Sequence, residues 1–208
     1  MQRPVATAKS LIHHRGRNLR QKIQMQVLRP PCDVFINHRG IDTKRNVSGL
    51  LFHYFSVLNL RPFLDSKNMR PGDSLYQKIN EAICGCKVGV AVFSPNYCES
   101  PYCLHELAVL MENKKRVIPI FCDVKPSLLQ VMDDGLCSDK DLQRFRDALE
   151  EARDTVGLTF DTTTGDWSKL LKDATDAVVR NVLEVDEEGA SKNPLYVARK
   201  RLNFSSLS

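Results

Sequence analysis

"KVGVAVFSPNYCESPYCLHELAVLMENKKRVIPIFCDV", residues 87–124, decides the fold. Residues 87–94 are almost continuously apolar and rich in valine, the pattern of a strand covered on both faces of its sheet. Ser100 and Pro101 then suit the N-cap and first position of a helix over 101–114. Residues 116–124 are again apolar and form the next strand. A strand, a crossover helix and a second strand make the unit from which right-handed parallel sheets are built.

The same alternation extends in both directions. Upstream, "CDVFINH" (32–38) reads as a strand. Asp42 then suits the N-cap of a helix within 41–60, where Val47, Leu50, Leu51, Tyr54, Phe55 and Leu58 recur at helical spacing. "RPFLD" (61–65) is a second strand, and 66–74 is a loop by its Pro-Gly pair. Residues 75–85 form a helix with Leu75, Ile79, Ala82 and Ile83 on one face. Downstream, 125–138 are irregular, and Ser138 with Asp141 fits a capping box opening a helix over 139–153. Residues 155–160 are a fifth strand, and Asp166 caps a last helix. Five strands alternating with helices predict an α/β fold, flavodoxin-like, with a five-stranded parallel sheet in the order 2-1-3-4-5 and helices on both faces. Ligands of such sheets sit at the carboxyl ends of the strands, which marks loops 37–43, 65–74, 94–100 and 123–138.

The chain has 208 residues and 42% hydrophobic content. That supports one domain of roughly 150 residues, assigned to 32–185, with a polar tail at 186–208. Residues 1–31 carry seven Lys or Arg and no acid, out of 30 basic and 25 acidic residues in all. The rest is therefore slightly acidic, 23 against 25, which argues against a nucleic-acid-binding fold. Three readings of 1–31 stand open: a solvated disordered tail, an organelle transit peptide, and a patch for anionic lipid or nucleic acid. No apolar run approaches the roughly 20 residues of a membrane span, and no secretory h-region is present. The seven cysteines form no CxxC pair and read as reduced thiols of a cytoplasmic protein. The nucleus and, through 1–31, an organelle remain as alternative compartments.

One residue of the 101–114 helix is out of place. At about 100° per residue, Cys103, Leu104, Leu107, Ala108, Leu110 and Met111 share a broad face, with Glu106 at its edge. A capping-box acid belongs at 103, so helix-end chemistry does not explain Glu106. A half-shielded carboxyl has a raised pKa unless paired. Two readings compete: a border residue paired with a nearby Lys or Arg, and a functional carboxylate in the crevice at the strand ends.

Other chemistries find no motif. There is no GxSxG, P-loop, HExxH or GxGxxG. A receiver domain needs an aspartate after the third strand, where this chain has Ser94-Pro95-Asn96. His13, His14, His38, His53 and His105 have no metal-ligand spacing.

Taken together, several stretches resemble the plant TIR domain. "DVFINHRGIDTKRNVSGLL" is similar to its opening strand, Arg-Gly turn and first helix, and "FLDSKNMRPGDSL" to its second strand and following loop. "VGVAVFSPNYCESPYCLHELAVLME" carries a Ser-x-x-Cys-Leu-x-Glu-Leu signature, and "VIPIFCDVKPS" is similar to the fourth strand. The resemblance covers 32–130 by motif and 131–185 by pattern. It implies an NAD-cleaving activity in immune or cell-death signalling, with the signature glutamate, Glu106, as catalytic residue. The nicotinamide–ribose bond is cut, giving ADP-ribose, a cyclic ADP-ribose isomer, or both. NAD+ is then the substrate, with no further cofactor and no metal implied. His38, Arg39, Gly40, Ile41, Asp42 and Thr43 occupy the first strand-to-helix turn, which in the family faces the nucleotide. By this resemblance Arg39 pairs with phosphate, Gly40 allows close approach, and Gly72 lies in a mobile loop framing the pocket. Read without the resemblance, 39–43 is a helix-entry turn and Gly72 a turn glycine. The family's usual Ser-Phe-Arg-Gly-Glu-Asp is here Asn37-His38-Arg39-Gly40-Ile41-Asp42. The length resembles stand-alone TIR proteins.

The resemblance also implies partners: copies of this chain or other TIR proteins, docking through helix faces and ordering the loop beside the site. Two other functions stand beside the enzyme. One is a catalytically silent adaptor acting by TIR–TIR docking. The other is nucleic-acid processing through the basic N-terminus, the weakest reading, which predicts steep salt dependence lost on removing 1–31.

Overall fold

A computed structural model describes residues 32–133, 135 and 137–191. The readings of 1–31 and of the tail beyond 191 lie outside the described residues. β1 (Val34–His38) is followed by a single helical turn, α1 (Gly40–Thr43), and by α2 (Val47–Val57). Next come β2 (Pro62–Phe63), a one-turn α3 (Asp65–Asn68), α4 (Leu75–Gly85) and β3 (Val88–Phe93). A 3-10 turn (Tyr97–Glu99) leads into α5 (Pro101–Glu112) and β4 (Arg116–Cys122). The chain continues with α6 (Asp139–Asp154), β5 (Leu158–Phe160) and α7 (Trp167–Ser191). Every strand pair is parallel and the order is β2-β1-β3-β4-β5, as the alternation predicts.

Side chains alternate across the pleat, so β1, β3 and β4 each feed two cores. Phe35, Ala91, Phe93 and Phe121 face α4, α5 and α6, meeting Ile83, Leu107, Leu110 and Leu149. Val34, Ile36, Val90 and Ile120 face α2 and α7, meeting Leu51, Phe55, Ala174 and Val178. All six residues of β3 are buried, which explains its unbroken apolar run. Gly89 lets α5 approach closely: a Cβ there would lie 3.0 Å from a methyl of Leu110.

Some expectations need correction. Asp42 does not cap the first long helix. The chain makes the extra turn α1 first, and Asn46 caps α2, its Oδ1 accepting from the Val47 N–H at 2.6 Å. Asp42 is instead engaged by Arg39 and Ser94. The predicted apolar face of α2 is only partly covered: Val47, Leu51 and Phe55 are buried, whereas Leu50, Tyr54 and Leu58 are exposed. Leu75 on α4 is exposed as well. The helical turn α3 runs into the 66–74 loop, and the N–H of Leu64 just before it donates to Asn68 Oδ1 at 2.8 Å. β2 and β5 are shorter than their apolar runs. The Ser138 and Asp166 caps form as read, each accepting backbone N–H groups of the helix it opens. α7 runs to Ser191, into the polar stretch beginning at 186. Among the described residues no helix is long and apolar enough to cross a membrane.

The amino ends of the strands are tied by one buried acid. Asp33 accepts a forked pair of bonds from Arg61, Nε at 2.9 Å and Nη2 at 2.8 Å, and lies 3.6 Å from Lys87. Burial alone would raise its carboxyl, but the bonds and charge of Arg61, with Lys87, outweigh it and hold the pKa below the ordinary 3.8. Asp33→Ala is expected to cost about 2 kcal/mol at pH 7, less than for a fully buried pair because Arg61 is well exposed. The folded-state pKa is depressed, so this stability is present above 3.8 and is lost as pH falls through the folded value. The urea-unfolding stabilities of the two proteins should therefore draw together as pH falls below 3.8; a difference unchanged by acidification would mean packing, not charge, is lost.

Candidate active site

The site grows from the carboxyl ends of β1, β2 and β3. Ser100 caps α5, its Oγ accepting from the Cys103 N–H at 3.3 Å, with Pro101 at the first position. Glu106 stands one turn further on. Its partner is not the lysine or arginine that a border residue would find. Asn37, on β1, donates from Nδ2 to Glu106 Oε2 at 2.8 Å and to the Cys103 carbonyl at 3.1 Å. Tyr97, fully buried, donates to Asn37 Oδ1 and also lies 3.0 Å from the Cys103 carbonyl. Asn37 can therefore neither turn nor flip without breaking several bonds, and it fixes the carboxylate it holds.

Glu106 is half-buried as a residue, yet its carboxyl is closely surrounded. Burial, with the charge of Asp65 adding, raises its pKa to about 8 against the opposing bond from Asn37. No cation pairs with it among the described residues. A carboxyl that is expensive to ionise and free of a counter-ion is set up to receive a cation. The thiol of Cys103 senses the same surroundings. Burial pushes it up to about 12, Glu106 and Asp65 add to the rise, and Arg39 opposes it. Those three charges are thus grouped around the first turn of α5.

The first strand-to-helix turn divides by pleat. Asn37 points toward Glu106. His38, the next residue, continues the opposite face of Val34 and Ile36 and is 6% exposed. Burial holds its imidazole below the usual value, while Asp65 and a bond to the Ile36 backbone oppose that. Its Nε2 is buried with no partner among the described residues. Arg39 donates to Asp42 Oδ1 at 2.7 Å and to Glu99 Oε2 at 3.0 Å. Ser94, at the end of β3, donates to Asp42 Oδ2 at 2.6 Å. Gly40 opens α1, and His38 Nε2 lies 4.0 Å from the place of a Cβ. Ile41 is 89% exposed. Thr43 is buried and braces the turn, donating to the Arg39 carbonyl at 3.3 Å and accepting from Ser48 at 3.0 Å. Gly72 has φ +95° in a turn, which favours glycine, and open space around it.

Asn37, Tyr97, Ser94, Asp65 and Glu99 escaped notice as functional candidates. The one available signal was position, since all lie in or beside the strand-end loops. Beside the site, Tyr76 and Tyr102 place exposed rings 5.8 Å apart, and His105 stands edge-on to Tyr76. They line a groove of about 490 Å³ with Ser138 and Arg144. Among the described residues no cluster of His, Cys, Asp or Glu could hold a metal ion.

A probable 2' cyclic ADP-D-ribose synthase of Brachypodium distachyon is 51% identical over 158 residues, spanning 74% of this chain and 70% of that protein. The TMV resistance protein N of Nicotiana glutinosa is 33% identical over 141 residues, spanning 60% of this chain and 12% of that protein. The chain thus spans about an eighth of that resistance protein's length. The TIR domains of an activated Roq1 resistosome superpose with a TM-score of 0.61 and 29% identity, covering 71% of this chain and 99% of theirs. The sequence profile of the TIR domain matches residues 34–156, the segment holding β1 to α6 and every site residue above. With most of the chain matched by the TIR profile and a relative identical at half of 158 aligned residues, this chain belongs to the TIR domain family.

Proposed function

We propose that this chain cleaves NAD+ at the nicotinamide–ribose bond, giving nicotinamide with ADP-ribose, a cyclic ADP-ribose isomer, or both, in plant immune or cell-death signalling. The observation that carries it is the Glu106 carboxylate, held by Asn37 and paired with no cation among the described residues, in a chain 51% identical over 158 residues to a probable 2' cyclic ADP-D-ribose synthase. Cleavage leaves an oxocarbenium-like ribose, and an ionised Glu106 beside it stabilises the developing positive charge. Nicotinamide departs as a neutral molecule, so no second carboxylic acid is required to protonate it. The ribose cation is then captured by water or by a hydroxyl of the adenosine half, whose O–H proton is released to solvent as the new C–O bond forms, and that partition sets the product. NAD+ is substrate, not cofactor. In this reading Arg39 faces the diphosphate, Gly40 permits its approach, His38, Ile41, Asp42 and Thr43 shape the turn, and Gly72 lends freedom to the loop over the pocket. The folded enzyme is 32–185, extended by the last turns of α7, and we place it in the cytoplasm, where its unpaired thiols stay reduced.

Activity requires self-association in this reading, since assembly stabilises a minor competent state by mass action. The test is NAD+ consumption by purified chain at several protein concentrations, with products identified by mass spectrometry. Turnover rising faster than concentration supports the proposal. A folded chain that stays inert when concentrated and crowded would be a silent docking adaptor.

The raised Glu106 pKa gives a pH signature. In the free enzyme the group is largely protonated below its pKa of about 8, and only the carboxylate form works. The kcat/KM for NAD+ should therefore rise with pH and level off above about 8. The kcat profile should break at lower pH, because the bound nicotinamide cation favours the ionised form. A kcat/KM profile flat between pH 6 and 9 would count against Glu106 as the titrating group.

A further inference from the structure

The Arg39 guanidinium is held by two carboxylates of different character. Asp42, its side chain 13% exposed, takes Nη1 at 2.7 Å and is itself fixed by the Ser94 hydroxyl at 2.6 Å. It belongs to the permanent frame of the turn. Glu99 takes Nη2 at 3.0 Å, but its side chain is 61% exposed and Arg39 is its one ion-pair partner among the described residues. Glu99 ends the 3-10 turn, and Ser100 alone separates it from α5, the helix that carries Glu106. An exposed pair of this kind is weak, because water competes for both charges. A diphosphate carries more charge and can take a guanidinium edge with two parallel bonds.

We infer that Glu99 is an internal competitor for Arg39: it covers the guanidinium edge that the substrate's diphosphate takes, and it swings into solvent when the dinucleotide binds. The inference rests on Arg39 being the phosphate-binding residue of an NAD-cleaving site. Glu99 thereby sets affinity. Substrate meets a site of which only a fraction has Arg39 uncovered, and its apparent affinity falls by that fraction. Asp42 has no such role, since displacing it would also break its bond to Ser94.

The test is calorimetric titration of the full chain with inorganic pyrophosphate and, separately, ADP-ribose. Wild type, Glu99→Gln, Arg39→Gln and the double variant are compared at low and high salt. Glu99→Gln should tighten both ligands about two- to fivefold at low salt, and less at high salt, where the ion pair is already screened. Arg39→Gln should weaken both, and the gain from Glu99→Gln should vanish in its background. Equal affinities in wild type and Glu99→Gln, a gain that survives the loss of Arg39, or no pyrophosphate binding by any variant would each overturn the inference. Binding needs no turnover, so the two readings fail separately. Tightening by Glu99→Gln in a chain that never consumes NAD+ keeps the competitor and removes the enzyme. Robust turnover with no change in affinity does the reverse.

Discussion

Glu106→Gln should lower NAD+ turnover by on the order of a thousandfold, the loss expected when a group aimed at developing charge is removed from a water-poor site. The substitution keeps shape, and the glutamine carbonyl can still accept from Asn37 Nδ2, so the variant should fold. It should also be more stable than the wild type at alkaline pH. The folded-state pKa of Glu106 is raised from 4.5 to about 8, so its contribution to stability is fully present below 4.5 and is lost progressively as pH rises to 8. The neutral amide of the variant has no charge to bury. Thermal melts should therefore show nearly equal midpoints at pH 4.5 and a higher midpoint for the variant at pH 8.5. Such opposition between stability and activity is expected of a functional group held in an unfavourable place. Wild-type turnover with a higher melting point would separate the two roles and remove Glu106 from the chemistry. An inert variant with an unchanged midpoint at pH 8.5 would mean the carboxylate is better solvated than its setting indicates.

Asn37→Ala should have the second largest effect, on rate and stability together. The change strips Tyr97, the Cys103 carbonyl and Glu106 of a shared partner. Leaving buried polar groups short of a partner costs about 1–3 kcal/mol each, and Tyr97 keeps its bond to the Cys103 carbonyl, so a total of about 3 kcal/mol is expected. That corresponds to a melting point lower by roughly 10 °C. Glu106 then loses its orientation, and turnover should fall about a hundredfold, as when a reacting group is displaced by an ångström. The pH profile distinguishes positioning from mere loosening. The Asn37 bond lowers the Glu106 pKa against burial. Without it the midpoint of kcat/KM should move above 8. A slower enzyme with an unmoved midpoint would show that Asn37 serves only packing.

The cysteine before the signature acid illustrates why motif and role differ. Cys103 is buried among apolar neighbours, its thiol pushed up to about 12, and donates to the His38 carbonyl at 3.3 Å. Its place in the signature is that of a small buried residue bridging α5 to β1, not of a nucleophile.

What the residues determined alone is everything that depends on near neighbours. The valine-rich run at 88–93, the Ser100, Ser138 and Asp166 caps and the helical spacing at 75–85 each act over a few residues, so each could be read from order. The parallel sheet followed, because strands that alternate with helices have few other ways to cover both faces. The identity of Glu106 as a misfit was legible for the same reason, as a carboxylate on the edge of an apolar face. Its partner was not. Asn37 lies 69 positions away, and only the packing of α5 across β1 brings it within 2.8 Å. Short-range signals also misplaced Asp42, whose carboxylate has a better offer from Arg39 and Ser94 than from a helix end, and overstated how much of α2 the sheet covers. Which carboxylate pairs with which cation, which face His38 joins and how deeply Glu106 is enclosed depend on surfaces meeting in space. Only the tertiary structure decided them, because burial and long-range contact are properties of the folded assembly and not of any stretch of chain.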